Sequence, residues 1–136
     1  MNKGVEFKNI SKRYGTDKAA SLAVDSISFE IPKGSLTTIL GPSGCGKTTT
    51  LRMIAGLESP TSGQIIMDGK DVTTLGPAER NVSMMFQSYA LFPHMSVLDN
   101  VMYGLKMSGI SKDEAQTKAS DALKNVGLTG FNERLP

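Results

Sequence analysis

The chain has 136 residues, a formal net charge of +2 and a single cysteine. This length suits one domain with one modest core, and a lone cysteine excludes an internal disulfide and fits a reducing compartment. No basic cluster exceeds the pair Lys12-Arg13, so no nucleic-acid partner is expected. The first residues lead into a polar alternating stretch and not an apolar signal core. No apolar run approaches the roughly 18 residues that span a bilayer, so we expect a soluble cytoplasmic protein.

Two strands are predicted in the first third of the chain. Val5 and Phe7 alternate with charged residues, and residues 24–31 alternate with Ile27 and Phe29 on one side. The connection between them is too short for a helical crossover. The sequence therefore predicts that these strands pair in antiparallel fashion.

A phosphate-binding pattern follows. Residues 41–48 read GPSGCGKT and match G-x-x-x-x-G-K-[ST] at every fixed position. The apolar residues 35–40 before it predict a short buried strand, and residues 49–55 after it predict a helix. Glycines allow the backbone N–H groups to turn toward phosphate oxygens, and the helix N-terminus adds its positive end. We therefore predict nucleotide binding, with a simple glycine-rich turn before a helix as the alternative.

The helix after this loop has its predicted apolar face on Leu51, Ile54 and Ala55, and Gly56 is expected to end it. In the loop itself, the pattern assigns Lys47 to the β- and γ-phosphates and the Thr48 hydroxyl to Mg²⁺. Cys45 at a helix N-terminus could carry a reactive thiolate, but an ordinary variable position is the preferred interpretation. The predicted nucleotide-binding residues are Ser43, Gly44, Cys45, Gly46, Lys47, Thr48 and Thr49.

The second half changes from strands to helices. Residues 64–67 and the Asp68-Gly69 pair predict a strand and a hairpin turn, and residues 82–86 predict a second short buried strand. Ser96 and Ser111 each open a predicted helix and are followed three residues later by an acidic residue that completes a capping box. The change of character near residue 88 predicts a subdomain boundary.

With these motifs in place, the chain resembles the ATP-binding subunits of ABC transporters, and among them the bacterial importer ATPases of the ferric-iron, polyamine and maltose group. The resemblance runs from about Val5 to the last residue. It rests on GPSGCGKTT at 41–49, LRMIAGLE at 51–58 and MFQSYALFPH at 85–94.

The resemblance implies an α/β fold, a P-loop NTPase of the ABC type, which is incomplete in these residues. Residues 1–87 would form part of the ATP-binding core, with an antiparallel β subdomain and the phosphate-loop strand and helix. Residues 88–136 would begin the helical subdomain and stop before the family's signature motif.

The resemblance also implies roles for single residues. Tyr14 would stack on adenine, the alternative being a tyrosine packed at a strand end. Gln87 would contact Mg²⁺ and the attacking water, and would be catalytic together with Lys47, the alternative being an ordinary loop glutamine. The loop at 89–94 would abut the groove that receives a helix of the membrane subunit, the alternative being local packing under the next helix. The interface residues would be Tyr89, Leu91, Phe92, Pro93 and His94.

The implied function is that of the energy-coupling ATPase subunit of an importer, with ferric iron or polyamine as the favoured solute and ATP and Mg²⁺ as cofactors. Its partners would be transmembrane permease subunits and a second ATP-binding subunit in a homodimer, at the cytoplasmic face of the inner membrane. A solute-binding protein would be involved only indirectly.

The family's signature motif and later catalytic groups do not occur in these residues. We therefore expect nucleotide binding without turnover, and association of chains through an open-edged strand at 35–40. Two alternative functions are a non-catalytic nucleotide-binding fragment and a different P-loop enzyme, such as a small-molecule kinase.

Overall fold

A computed structural model describes residues 3–16 and 21–136. The chain divides into two compact units, Met1–Met84 and Met85–Pro136. The first unit holds a sheet and the helix that follows the phosphate loop, and the second holds two helices. Within the described residues, no helix combines the length and hydropathy needed to cross a bilayer.

The sheet of the first unit has four strands in the order β2-β1-β3-β4. All neighbours pair in antiparallel fashion, as predicted for the first two strands. The strands are β1 Lys3–Arg13, β2 Leu22–Pro32, β3 Ser62–Met67 and β4 Lys70–Asp71.

A bulge in β1 explains how its apolar residues share one face. Phe7 and Ile10 are three residues apart, which in a regular strand would place them on opposite faces. Asn9 lies between them with φ 50°, and the register to β2 shifts between these two positions. The extra residue turns Ile10 back toward the core, where both side chains are buried.

The core of the first unit lies between the sheet and helix α1, Lys47–Ala55. The predicted helix is confirmed, but its predicted apolar face is only partly right, because Met53 is buried and Leu51 is exposed. Gly56 ends the helix with φ 78°, as expected. The buried core residues are Phe7, Ile10, Val24, Met53, Ile65, Met67 and Val72.

The turn between β3 and β4 has the conformation that its sequence predicts. Asp68 and Gly69 have φ values of 47° and 81°, and they connect the paired residues Met67 and Lys70. Two successive positive φ values are the mark of the tight hairpin turn that Asp-Gly favours. A short 3₁₀ helix, Pro77–Glu79, follows.

Two predicted strands do not form. Residues 35–40 and 82–86 are irregular, and Leu36 is 96% exposed. A strand exists only through hydrogen bonds to a neighbour, and neither segment has a strand partner among the described residues. The prediction of buried strands here is therefore wrong for this chain, although both segments have suitable sequences.

The second unit is a pair of helices, α2 Val97–Met107 and α3 Lys112–Asn125. Both predicted N-caps are confirmed, since the Ser96 and Ser111 hydroxyls accept hydrogen bonds from the N–H groups three residues on. The helices pack through a small apolar core that consists of Leu98, Met102, Ala115, Ala119 and Leu123.

Candidate functional site: a phosphate loop with an adjacent tyrosine

The phosphate loop connects residues 35–40 to the N-terminus of α1. Its curvature depends on glycines, since Gly44 and Gly46 have φ values of 78° and 90°. A Cβ on Gly46 would lie 2.5 Å from the carbonyl oxygen of Ala23, whereas a Cβ on Gly44 would meet nothing within 4 Å. Gly46 is thus required both by its backbone angle and by the close approach of β2.

The N-terminus of α1 is open to an anion. No side chain caps the helix at Gly46, and its first turn contains no acidic residue. The first backbone hydrogen bond runs from Thr50 N–H to the Gly46 carbonyl at 2.9 Å. The preceding N–H groups have no acceptor within the helix, and they carry the positive end of its dipole. This arrangement suits a phosphate group.

Lys47 is held by the loop to which it belongs. Its ammonium group donates to the carbonyl oxygens of Gly41 and Pro42, the latter at 2.7 Å, and lies 3.6 Å from the sulfur of Cys45. The loop therefore curls around a cation supplied by its own chain. The residues present fit a nucleoside triphosphate, because its phosphate oxygens could bind the Lys47 ammonium group together with the free N–H groups at the N-terminus of α1.

The hydroxyl groups that follow Lys47 have different surroundings. Thr48 is exposed, and its side chain has no hydrogen-bond partner among residues 3–16 and 21–136. Thr50 is buried and donates to the Gly46 carbonyl at 2.9 Å. The Thr48 hydroxyl thus remains available to a cation that a triphosphate would bring, while Thr50 serves the helix. The exposed Ser43 side chain lies in the same loop.

Tyr14 lies beside the helix that follows the loop. Its hydroxyl donates to a carboxylate oxygen of Glu58 at 3.2 Å and lies 3.5 Å from the hydroxyl of Thr49 in the first turn of α1. The Tyr14 side chain is 45% exposed, which leaves ring surface for a ligand. The structure thus brings two of the predicted nucleotide-binding elements, Tyr14 and the start of α1, within contact distance of each other.

Lys12 and Glu58 complete this arrangement, and sequence reasoning missed both. The Lys12 ammonium lies 2.7 Å from the Glu58 carboxylate and 5.0 Å from the centre of the Tyr14 ring, and it also donates to the Ser59 carbonyl at 2.7 Å. The hydrogen bond from Lys12 is the main reason that the pKa of Glu58 is held below its ordinary value. No local pattern connects Tyr14 to a carboxylate 44 residues away. We call Lys12, Tyr14 and Glu58 the Tyr14 cluster.

Sequence reasoning also missed the structural role of Arg80. Its side chain is buried, and its guanidinium group donates to carbonyl oxygens of the last turn of α1 and of the segment after β4. Burial lowers the pKa of Arg80, but an arginine keeps its charge at neutral pH. The acceptors are the carbonyl oxygens of Met53, Ile54, Thr73 and Leu75.

The remaining predicted residues belong to the second unit. Gln87 is exposed in an irregular segment, and Tyr89 and Ala90 after it have φ values of 63° and 52°. Two consecutive non-glycine residues in the left-handed region are strained, which often marks a functional loop. The roles of Gln87 at Mg²⁺ and of the loop at a partner interface stay predictions.

The loop at 92–96 is fixed to α2 by one side chain that sequence reasoning missed. The Asn100 amide accepts from Phe92 N–H at 2.8 Å and donates to the carbonyl oxygens of Phe92, Met95 and Ser96 at 3.0–3.1 Å. The Phe92 ring packs on Tyr103 at 4.7 Å between centroids and lies 6.1 Å from the His94 ring. Tyr89 and Leu91 are more exposed, at 70% and 55%.

Comparison with known proteins points to one family. The family model for ABC transporters matches residues 24–136. The ferric-ion import ATP-binding protein FbpC of Agrobacterium fabrum is 60% identical over 132 residues, and FbpC of Escherichia coli O157:H7 is 52% identical over 130. These alignments cover 97% and 96% of this chain, respectively, but only 36% of either relative.

Solved structures similar to this chain are also ATP-binding cassettes. The ATP-binding cassette MJ0796, in a dimeric post-hydrolysis state bound to ADP and Pi, superposes with a TM-score of 0.85 at 30% identity. The alignment covers 97% of this chain and 61% of that one. A further cassette, MJ1267, superposes with a TM-score of 0.85 at 27% identity, over 99% of this chain and 58% of that one. The matched residues include the whole phosphate loop and α1, and this chain belongs to the ABC transporter family.

Proposed function

We propose that this chain binds ATP as part of the energy-coupling ATPase subunit of an importer. The observation that carries the proposal is the open N-terminus of α1 behind a loop that curls around the Lys47 ammonium. The α-, β- and γ-phosphates would lie on the N–H groups of residues 44–49, with Lys47 at the β- and γ-phosphates. Tyr14 would stack on the base.

Mg²⁺ would be held by the Thr48 hydroxyl and by phosphate oxygens, with Gln87 as a further ligand that also orients the attacking water. What the bound metal supplies is neutralisation of charge on the transferred phosphoryl group. The exposed Thr48 side chain supports this part of the proposal. Since the chain spans 36% of the length of its relatives, hydrolysis belongs to a longer protein in this proposal.

For the whole protein we propose uptake of ferric iron, which the names of the relatives favour over polyamine. The subunit would act at the cytoplasmic face of the inner membrane, paired with a second ATP-binding subunit and with permease subunits. The dimeric state of the MJ0796 cassette supports the pairing. The exposed loop with Tyr89, Leu91, Phe92, Pro93 and His94 would receive the permease, and Asn100 would hold this loop in shape.

Calorimetric titration with Mg-ATP tests the central claim. We expect binding in the micromolar to millimolar range, roughly 4 to 8 kcal/mol. Lys47→Ala should weaken binding by about tenfold or more, because a charge-assisted hydrogen bond contributes about 1.5 to 3 kcal/mol. Lys118→Ala, which removes an exposed lysine from α3, serves as the control and should leave the affinity unchanged. Equal affinity of Lys47→Ala and the unaltered chain would defeat the proposal.

A further inference from the structure

The Tyr14 ring is held from two directions. Its hydroxyl is bonded to Glu58 at 3.2 Å, and one ring face lies under the Lys12 ammonium at 5.0 Å from the centroid. Glu58 and Lys12 are themselves joined at 2.7 Å, so the three side chains form one connected unit. An aromatic ring fixed at its edge and covered on one face offers only the other face for stacking.

Lys12 and Glu58, which hold the Tyr14 ring, are themselves partly buried. The Lys12 side chain is only 13% exposed, and its ammonium has a second acceptor in the Ser59 carbonyl at 2.7 Å. The Glu58 side chain is 23% exposed and lies just after the C-terminus of α1. An ion pair that is partly desolvated and further hydrogen-bonded constrains geometry better than a fully exposed pair.

We infer that Lys12 and Glu58 are positioning residues for the base of the nucleotide. They fix the Tyr14 ring at one orientation beside Thr49, so that a base stacked on its free face is in line with phosphates on α1. The inference rests on the proposed function, because it presumes that nucleotide binds at the phosphate loop. It adds that recognition of the base depends on an ion pair that touches neither base nor phosphate.

The experiment distinguishes the contribution of the base to binding from that of the phosphates. Affinity for Mg-ATP is compared with affinity for magnesium tripolyphosphate, which lacks base and sugar, on the full chain. The variants are Glu58→Gln, Lys12→Met and Tyr14→Phe, with Lys12→Arg as the conservative rescue. Thermal unfolding of each variant reports whether the fold is intact.

Stacking on an aromatic ring raises affinity by about 5- to 150-fold. Glu58→Gln and Lys12→Met should each lose part of this gain. The affinity for Mg-ATP should fall by about three- to tenfold, while the affinity for tripolyphosphate should not change. Lys12→Arg should restore the ATP affinity, because it keeps the pair with Glu58. Tyr14→Phe should behave like Glu58→Gln, since it keeps the ring but loses its bond to the carboxylate.

Three outcomes would overturn the inference. One is an affinity for Mg-ATP that is unchanged in all variants. Another is a parallel loss for both ligands, which would make the pair merely structural. The third is tighter ATP binding by Lys12→Met, which would mean that Lys12 covers the face that the base needs. Failure of the unaltered chain to bind either ligand would instead defeat the proposed function.

Discussion

At the scale of single residues, the two left-handed glycines of the phosphate loop differ in what a side chain would meet. Gly46→Ala would force a Cβ to 2.5 Å from the Ala23 carbonyl oxygen and strain a φ of 90°. In Gly44→Ala the new Cβ would lie in open space, and the only cost would be the strain of a φ of 78°. Strain of this kind costs about 1 to 3 kcal/mol, so we expect urea unfolding to show a distinctly larger loss of stability for Gly46→Ala. Equal losses would show that contact with β2 contributes nothing.

The buried Arg80 side chain connects the last turn of α1 to the segment after β4. Its side chain is 7% exposed, and Arg80→Met would leave buried carbonyl oxygens at the C-terminus of α1 without donors. Each such group costs about 1 to 3 kcal/mol, so we expect a fall of about 3 kcal/mol in the free energy of unfolding. Lys33→Met is the control, because its ion pair with Asp68 is more than half exposed. That variant should stay within about 0.5 kcal/mol of the unaltered chain, and a similar loss in both would refute the role of Arg80.

The residues that could be predicted are those with a local signal. The phosphate loop was found because its spacing is fixed within eight residues, and the N-caps because the acceptor and donor are three residues apart. Glu58 and Arg80 could not be found, because their partners lie 44 and 27 residues away, respectively. Contacts at that distance follow from the tertiary fold and leave no periodic pattern in the sequence.

At the scale of elements, the start of α2 depends on a carboxylate in its first turn. The Ser96 hydroxyl donates to Asp99 at 3.0 Å and Lys106 lies 3.4 Å away, and both hold the pKa of Asp99 below its ordinary value of 3.8. A depressed pKa in the folded state means that the stabilisation is present above that ordinary value. It is lost as the pH falls through the lower pKa of the folded state.

We therefore expect Asp99→Asn to lower the melting temperature at neutral pH and to flatten its fall below a pH of about 4. The measurement is thermal unfolding by circular dichroism across the acid range. Asp121→Asn, which removes an exposed carboxylate of α3, is the control for the loss of one negative charge. A variant curve parallel to that of the unaltered chain would rule out this contribution of Asp99.

Elements were predictable where their hydrogen bonds are local. The three helices and the Asp68-Gly69 hairpin close their bonds within a few residues, so propensity and capping suffice. The bulge at Asn9 was not predicted, since nothing in the local pattern marks the extra residue. Residues 35–40 and 82–86 have strand-like sequences, yet a strand also needs a neighbour. Their failure to form strands reflects the lack of a neighbouring strand to pair with among residues 3–16 and 21–136, and not an unsuitable composition.

At the scale of the whole molecule, the unpaired segments leave apolar side chains in water. Leu36 is 96% exposed, Leu40 87% and Met85 83%, although all three lie in runs whose composition is that of buried strands. Such runs also carry backbone groups that are not paired in a sheet. Exposed apolar residues with free backbone donors and acceptors favour pairing with another chain.

We expect the 136-residue chain to associate as its concentration rises from the micromolar range upward. Sedimentation equilibrium measures this association directly. The double variant Leu36→Lys, Leu40→Lys should shift the equilibrium toward monomer, because charges in this unpaired segment oppose strand pairing with another chain. Val126→Lys is the control, since this apolar residue is 69% exposed at the end of α3 and lies outside the unpaired segments 35–40 and 82–86. A single monomeric species for the unaltered chain at all concentrations would contradict the prediction. An equal effect of the Val126 variant would instead indicate non-specific hydrophobic association.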